Sequence, residues 1–440
     1  MRRIALVLGA LVVLGGCDSL SNWLGQPDAP PLPGERISVM AFETTPKADP
    51  RIADLEVRLP RPLANRNWPQ FGGSPDHAMQ HIAIPGDLER LWTADVGEGN
   101  SGSRRLTTPP VVFDGRVFCV DAGGVVSAFD AADGQRLWGA PSLPEQEEND
   151  AFGGGVAVAP GRVFVTTGAG DVLALDATNG HEIWRTPIGA PVRSAPTIAD
   201  GHLYVVTYDN QTFTLAAADG RVLWSHTGIA EVAQILGAPA PAVAQGTVVV
   251  AYSSGDLFAL RADNGKVAWQ DALTLGRRTG PLAELSDINA SPVIDRGRVY
   301  AISRAGRLVA LALRNGERIW EQEIAGVQTP WVAGDFLYVL TSDGQLLCLA
   351  RRDGRIRWVR PLPRWEDAEA RRGPILWSGP LLVSDRLIVV SSNGYALSIS
   401  PYTGKILGEV EMPDGIRIDP VVADGTVYLL TDDAELVALR

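Results

Sequence analysis

The chain is poor in the residues from which most metal sites and many active sites are built. Among 440 residues it has only 3 Cys and 5 His. No cysteine adjoins another, and the histidines show no metal-ligand spacing. The sequence also lacks a glycine-rich phosphate loop and a nucleophile elbow. We therefore predict no catalytic residue, no metal site and no cofactor site.

Positive charge is also scarce. The 39 Lys and Arg residues face 51 Asp and Glu residues, which gives a formal net charge of −12. Proteins that bind nucleic acid usually carry a basic patch, as do surfaces that dock onto anionic membranes. The charge balance therefore argues against a nucleic-acid partner and against a basic membrane-docking face.

The N-terminus carries an apolar run that is too short to span a bilayer comfortably. Met1-Arg2-Arg3 precedes apolar residues 4–14, a combination that predicts an export signal over residues 1–16. Leu14-Gly-Gly-Cys17 resembles the bacterial lipobox, so we expect Cys17 to be lipidated. One acyl chain gives only marginal membrane binding, whereas a triacylated Cys17 would anchor stably. Residues 17–65 are Pro-rich without a repeat, and we predict a flexible tether of roughly 40 Å.

One short pattern of sequence recurs eight times along the rest of the chain, and its eighth copy lacks the last strand. Four-strand units with a period in the forties are typical of β-propeller blades. Most copies contain an Asp-Gly or Asn-Gly dipeptide suited to tight hairpin turns. The β-rich cores begin at Arg116, Arg162, His202, Thr247, Arg298, Phe336, Arg386 and Thr426.

The fourth strand of most copies carries a tryptophan, and we expect each ring to pack against the neighbouring blade, because a large ring buries much area. The seventh copy has Gly408 at this position. The six tryptophans in register are Trp138, Trp184, Trp224, Trp269, Trp320 and Trp358.

The missing strand of the eighth copy is predicted to come from the other end of the chain. The last copy stops at Arg440 after its third strand, and residues 88–92 read like a fourth strand with no partners before them. Pairing the two ends closes the ring and removes exposed sheet edges. The fold class is therefore all-β, a single eight-bladed propeller over residues 66–440. Cys119 and Cys348 fall in separate blades, so we expect buried free thiols there.

The longest connections between copies all join a fourth strand to the next first strand. They span residues 140–154, 270–289 and 360–377, and they should emerge on one face of the propeller. A rigid scaffold often presents binding loops in this way. The alternative is that long loops are simply tolerated there.

The repeated Ala-Leu-Asp-Ala-x-x-Gly-x-x-x-Trp, as in residues 174–184, is similar to the tryptophan-docking motif of pyrroloquinoline-quinone (PQQ) propellers. Together with the lipobox, the eight-blade length and residues 67–73 (Asn-Trp-Pro-Gln-Phe-Gly-Gly), the chain resembles the BamB family. The resemblance implies a lipoprotein of the outer-membrane barrel assembly (BAM) machine. Implied partners are BamA, other BAM subunits and unfolded outer-membrane proteins, with a lipid anchor and no cofactor.

Two connections correspond to family loops that contact BamA. Residues 285–292 (Leu-Ser-Asp-Ile-Asn-Ala-Ser-Pro) are similar to a family loop with an acidic pair; Asp287 matches the first acid, and Asn289 replaces the second. The other family loop reads Leu-x-Leu-Arg before a glycine. Here Ile235 and Leu236 keep its apolar character without the Arg. The resemblance therefore implies partner binding by Ile235, Leu236, Asp287 and Asn289.

Two rival functions remain open from the sequence. A periplasmic sensor or ligand-binding propeller would have an axial pocket with converging polar groups. A PQQ-dependent dehydrogenase would typically carry adjacent cysteines and calcium-binding acids. The resemblance implies an outer-membrane location facing the periplasm, but Asp18 after the lipidated cysteine leaves the inner membrane open.

Overall fold

The computed structural model describes residues 46–86, 88–143, 153–229, 239–274 and 288–440. They form eight four-stranded antiparallel sheets and one two-stranded hairpin, so the predicted eight-bladed all-β propeller is confirmed. Within each blade we name the strands A to D from the axis outward. Strands A to C are mostly buried between neighbouring blades, and the D strands are largely exposed.

The strands follow the chain in blade order. Blade 1 contains β2 (Val111–Phe113), β3 (Arg116–Val120), β4 (Val125–Asp130) and β5 (Arg136–Pro141). Blade 2 contains β6 (Gly154–Ala159), β7 (Arg162–Thr167), β8 (Asp171–Asp176) and β9 (Glu182–Pro187). Blade 3 contains β10 (Thr197–Ala199), β11 (His202–Val206), β12 (Gln211–Ala216) and β13 (Val222–Thr227). Blade 4 contains β14 (Ala242–Ala244), β15 (Thr247–Ala251), β16 (Asp256–Arg261) and β17 (Val267–Ala272).

The second half of the ring repeats this order with one insertion. Blade 5 contains β18 (Val293–Asp295), β19 (Arg298–Ile302), β20 (Leu308–Ala312) and β21 (Arg318–Gln322). Blade 6 contains β22 (Trp331–Ala333), β23 (Phe336–Leu340), β24 (Gln345–Ala350) and β25 (Ile356–Pro361), and the hairpin β26 (Trp365–Asp367) and β27 (Arg372–Pro374) follows it. Blade 7 contains β28 (Trp377–Val383), β29 (Arg386–Ser391), β30 (Tyr395–Ile399) and β31 (Ile406–Glu411). Blade 8 contains β32 (Val421–Ala423), β33 (Thr426–Leu430), β34 (Glu435–Leu439) and β1 (Arg90–Asp95).

Blade 8 closes the ring as the sequence predicts. Its D strand is β1, which pairs antiparallel with β34 so that Trp92 lies opposite Ala438. Beyond the strand ends, Glu89 and Arg440 exchange two backbone hydrogen bonds of 3.0 and 2.8 Å. Both ends of the propeller chain therefore contribute to one sheet, and no D strand is missing from the ring.

The D-strand tryptophans connect neighbouring blades, which confirms their predicted packing role. Each indole Nε1 donates a hydrogen bond to a backbone carbonyl at the C–D turn of the next blade, over 2.7 to 3.4 Å. Each also faces a small residue across the strand pair, for example Ala174 opposite Trp184. The donor and acceptor pairs are Trp92–Ala131, Trp138–Ala177, Trp184–Ala217, Trp224–Ala262, Trp269–Leu313, Trp320–Arg351 and Trp358–Pro401.

The recurring Asp of the Ala-Leu-Asp motif stabilises the turn that follows it. Asp130 Oδ1 accepts a hydrogen bond from the Ala132 N–H at 2.8 Å, and Asp176 Oδ1 does the same for Thr178 at 2.8 Å. Such a local bond fixes a turn without any further partner. Its regular recurrence is therefore explained by turn geometry.

An inner segment, which we define as residues 65–84, lies across one end of the propeller axis. The innermost A strands would otherwise leave free edges there, and buried backbone groups need partners. The segment provides at least one hydrogen bond to every blade, using mostly its own backbone. The bonds run from blade 1 to blade 8 as Val112–Trp68, Val158–Pro69, Ile198–Gln70, Val243–Pro75, Ile294–Asp76, Trp331–Gln80, Ser384–Ile82 and Asp424–Asn65.

Residues 46–65, which the sequence assigns to the tether, contact the propeller. The Asp49 N–H donates to the Ile356 carbonyl at 2.8 Å, and the Leu55 carbonyl accepts from Arg357 Nε at 2.7 Å. Ile52, in the 3-10 turn Pro50–Ile52, and Val57 are buried. The blade repeats do not predict these contacts, because residues 46–65 pack on the outside of blade 6 and belong to no blade. The predicted tether residues 17–45 lie outside the described residues.

Candidate functional site

The B–C turns and D–A connections share one face of the propeller, which we call the D–A face. The described D–A connection between blades 6 and 7 carries the hairpin β26–β27, whose residues 366–372 are all exposed. Residues 144–152, 230–238 and 275–287, in three other connections of this face, lie outside the described residues. A rigid ring with long connections on one face is an arrangement suited to binding.

The residues predicted to act in anchoring or partner binding fall mostly outside the described ranges. Cys17, Ile235, Leu236 and Asp287 all do. Asn289 is described and lies in the D–A connection just before β18. It lines a cavity on the propeller axis, and its Oδ1 is buried without a hydrogen-bond partner among the described residues.

This axial cavity opens on the D–A face and has a volume of about 270 Å³. Phe71 of the inner segment forms part of its lining. Because ligand sites are usually concave with a few converging polar groups, the cavity is the candidate functional site. Its polar lining consists of Thr107, Asn289, Ser291, Arg304, Gln328, Thr329, Arg417 and Asp419.

The wall of the axial cavity contains hydroxyl groups that are already used as acceptors. Ser291 Oγ accepts a hydrogen bond from the Ala240 N–H at 2.9 Å, and Thr329 Oγ1 accepts from the Ser291 N–H at 3.2 Å. Each hydroxyl keeps its own proton to donate. Gln328 Nε2 donates to the Trp377 carbonyl at 3.2 Å, which leaves its Oε1 as an acceptor.

Two arginines and one carboxyl group set the charge of the cavity. Arg417 forms an ion pair with Asp432. Arg304 is exposed at the B–C turn of blade 5 and forms no hydrogen bond or ion pair with any described residue. Burial raises the pKa of the Asp419 carboxyl to about 6, although the Gly379 N–H donates to it at 2.7 Å and acts in the opposite direction. Among the described residues, the rim therefore presents Arg304 as a cation without a neutralising partner.

A larger cavity, of about 780 Å³, lies between residues 52–58, the A–B turns of blades 5 and 6 and the C–D turn of blade 6. Its charged groups are largely paired with one another. Arg351 forms a buried ion pair with Asp295 at 2.5 Å and donates from Nε to the Tyr300 hydroxyl at 2.6 Å. Gln80 of the inner segment donates to Asp295 at 3.0 Å. This network joins the inner segment to blades 5 and 6, so we assign it a structural role.

The described lining of the axial cavity can recognise a ligand through hydrogen bonds and charge. Among the described residues no three His, Cys, Asp or Glu side chains come together as a metal site. Cys119 and Cys348 are buried free thiols whose pKa values burial raises, so they stay protonated.

Within the described ranges no helix is long and apolar enough to cross a membrane.

Sequence reasoning overlooked Arg304 and Asp419. Several B–C turns carry an acid, including Asp121, Asp209 and Asp343, whereas blade 5 has Arg304 in its turn. In register, the position of Arg304 holds uncharged residues in several other blades, so aligning the turns would have shown an added positive charge there. Asp419 precedes Pro420 at the start of the last A strand, and nothing in the local pattern signals its burial.

Three comparisons with known proteins point to the same family. A family model described as outer membrane protein assembly factor BamB matches residues 86–147 and 123–360. The assembly factor BamB of Salmonella typhimurium is 30% identical over 359 residues, covering 79% of this chain and 88% of that protein. The crystal structure of BamB from Moraxella catarrhalis has a TM-score of 0.63 at 18% identity, covering 81% of this chain and 98% of that one.

The same architecture also occurs in enzymes. A quinohemoprotein alcohol dehydrogenase from Pseudomonas putida has a TM-score of 0.67 at 13% identity, covering 87% of this chain and 83% of that one. At this identity the similarity shows the fold alone, because one propeller architecture hosts unrelated functions. The dehydrogenase likeness therefore assigns no reaction.

Proposed function

The chain belongs to the BamB family of outer membrane protein assembly factors, and from this premise we propose that it is a non-catalytic scaffold subunit of the BAM complex. In this proposal the propeller binds the periplasmic domains of BamA and aids the insertion of barrel proteins. The observation that carries the proposal is the 30% identity to an assembly factor across 79% of this chain.

We further propose that the protein is held at the outer membrane by lipids on Cys17 and faces the periplasm. The signal over residues 1–16 and the lipobox support this location. Residues 17–45 would then serve as the tether, because residues 46–65 contact blade 6. Asp18 leaves inner-membrane retention as the alternative, which fractionation of the full-length lipoprotein distinguishes.

The partner-binding surface in this proposal is the D–A face, with Ile235, Leu236, Asp287 and Asn289 as contact residues. Asn289 supplies hydrogen bonds where the family has a second acid. The exposed D strands offer a further mode of binding, since an open edge can accept an extended strand from a substrate or partner. The D strand β31 suits this mode, because all six of its residues are exposed.

Co-purification tests the proposal. The substitution Asp287→Arg should reduce the BamA recovered with the full-length lipoprotein by about tenfold, because reversing a contact charge costs one or more kcal/mol. Asp263→Arg is the matched control, since Asp263 is exposed at a C–D turn on the opposite face. The proposal fails if the wild-type protein recovers no BamA. The assignment of Asp287 fails if both variants recover equal amounts.

A further inference from the structure

Arg304 stands out at the rim of the axial cavity. The side chain is exposed and unpaired among the described residues, in a protein with a net charge of −12. The cavity that it borders also contains Asn289, one of the residues expected to bind the partner. Asn289 and a cation that is unpaired among the described residues therefore lie at the same opening.

The lining of the cavity favours an oxygen acceptor from an incoming group. The hydroxyls of Ser291 and Thr329 have each accepted one hydrogen bond and retain a proton to donate. With the guanidinium of Arg304 they form a donor set suited to a carboxylate, and hydrogen bonds to charged groups are the stronger kind. The paired Arg417 adds little, because Asp432 already neutralises it.

The lining also contains two acceptors that a bare carboxylate leaves unsatisfied. Gln328 Oε1 is available because the amide nitrogen of this residue is used, and Asp419 borders the same space. A peptide loop brings backbone N–H donors along with an acidic side chain, so it satisfies both kinds of group at once. A volume of about 270 Å³ suits a side chain and adjoining backbone better than a whole domain.

We propose that the axial cavity receives an Asp or Glu side chain from a loop of the protein partner, with Arg304 as the main contact for its carboxylate. This inference rests on the proposed function and adds a residue and a chemistry to its binding surface. Arg304 lies on blade 5, on the same face as residues 288–292. The family loop that Ile235 and Leu236 match carries an Arg that this chain lacks. In this proposal Arg304 supplies that positive charge from a different blade.

The test compares charge substitutions at two arginines of blade 5. Arg304→Glu should lower the BamA recovered with the full-length lipoprotein by about tenfold, because reversing a charge at a partner contact costs at least one kcal/mol. Arg304→Lys should retain most of the recovery. Arg314→Glu, an equal charge change at the exposed C–D turn on the opposite face, should leave it unchanged.

The outcomes separate this inference from the proposed function. Absence of BamA from the wild-type preparation overturns both. Normal wild-type recovery with Arg304→Glu equal to Arg314→Glu overturns only the axial contact.

A photo-crosslinking residue at Val327, which lines the cavity, should yield a partner peptide that contains Asp or Glu. A crosslinked peptide without an acid contradicts the inference. Calorimetric binding of free citrate that Arg304→Glu abolishes, with BamA recovery unaffected, would identify a small-molecule site instead and would overturn the protein occupant.

Discussion

The indole ring of Trp184 lies directly over Gly220 of the next blade. A β-carbon built on Gly220 would come within 2.5 Å of the ring, and the same close approach recurs between Trp138 and Gly180. The tryptophan on one blade and the glycine in the turn of the next are therefore two parts of one contact. The contact therefore requires the glycine as much as the tryptophan.

We predict that Gly220→Ala destabilises the propeller by about 3 kcal/mol. Roughly 1 kcal/mol comes from the positive φ of 73° at this position, and the rest from overlap with the indole. Gly201→Ala is the control, because Gly201 has a φ of 76° with open space around its β-carbon position. Gly201→Ala should lower the free energy of unfolding only by the roughly 1 kcal/mol that comes from the positive φ. Chemical denaturation measures both variants. Equal losses for the two variants would show that the tryptophan contact is not tight.

The seam between blades 7 and 8 differs from the other seams, because Gly408 occupies the tryptophan position. Blade 8 has no C–D hairpin turn to receive an indole, because its third strand β34 pairs with β1. We predict that Gly408→Trp changes the free energy of unfolding by less than about 0.5 kcal/mol. Trp184→Gly, in contrast, should cost about 3 to 5 kcal/mol. A large stabilisation by Gly408→Trp would contradict this explanation.

The buried His77 of the inner segment makes stability depend on pH. Burial lowers its pKa from the ordinary 6.5 to about 4, while Nδ1 donates to the Pro292 carbonyl at 2.8 Å. The unfolded chain therefore binds more protons between these values, and stability falls as pH drops from about 6.5 towards 4. At pH 4 the loss from this residue is about 3 kcal/mol.

His77→Gln removes the titration and keeps a donor. Urea unfolding at pH 7 and pH 4.5 should therefore show a smaller loss of stability on acidification than in the wild type. An unchanged difference between the two pH values would mean that His77 is not responsible.

The carboxyl group of Asp419 gives stability the opposite dependence on pH. Its folded pKa of about 6 lies above the ordinary 3.8, so its contribution is present at low pH and is lost as pH rises through 6. Asp419→Asn keeps an acceptor for the Gly379 N–H without a charge. We predict that it is more stable than the wild type at pH 7.5 by about 1 to 3 kcal/mol and that this advantage disappears at pH 4. An advantage that persists at pH 4 would point to packing rather than to charge.

Local and repeated features could be predicted from the sequence. The Asp-Gly and Asn-Gly turns, the alternating strands and the tryptophan register each recur within one blade, so eight copies reinforce one pattern. Ring closure by residues 88–92 was also predictable, because a copy without its last strand needs a partner. The structure confirms it through the pairing of β1 with β34.

Features that depend on the assembled ring could not be predicted. The inner segment bonds to eight blades whose A-strand edges converge only after the ring has formed, so the sequence of residues 67–73 marks the family without indicating this structural role. The axial cavity likewise depends on side chains as distant in sequence as Phe71 and Asp419. Neither has a periodic signature, because each occurs once.

Photo-crosslinking at position 287 tests whether this propeller binds BamA in the cell. The crosslinking residue replaces Asp287 in the full-length lipoprotein, and a second version replaces Asp263 on the opposite face. After irradiation of intact cells, we predict a BamA adduct from position 287 and none from position 263. The absence of a BamA adduct at 287, in a protein that is anchored and folded, would contradict the assembly-factor account.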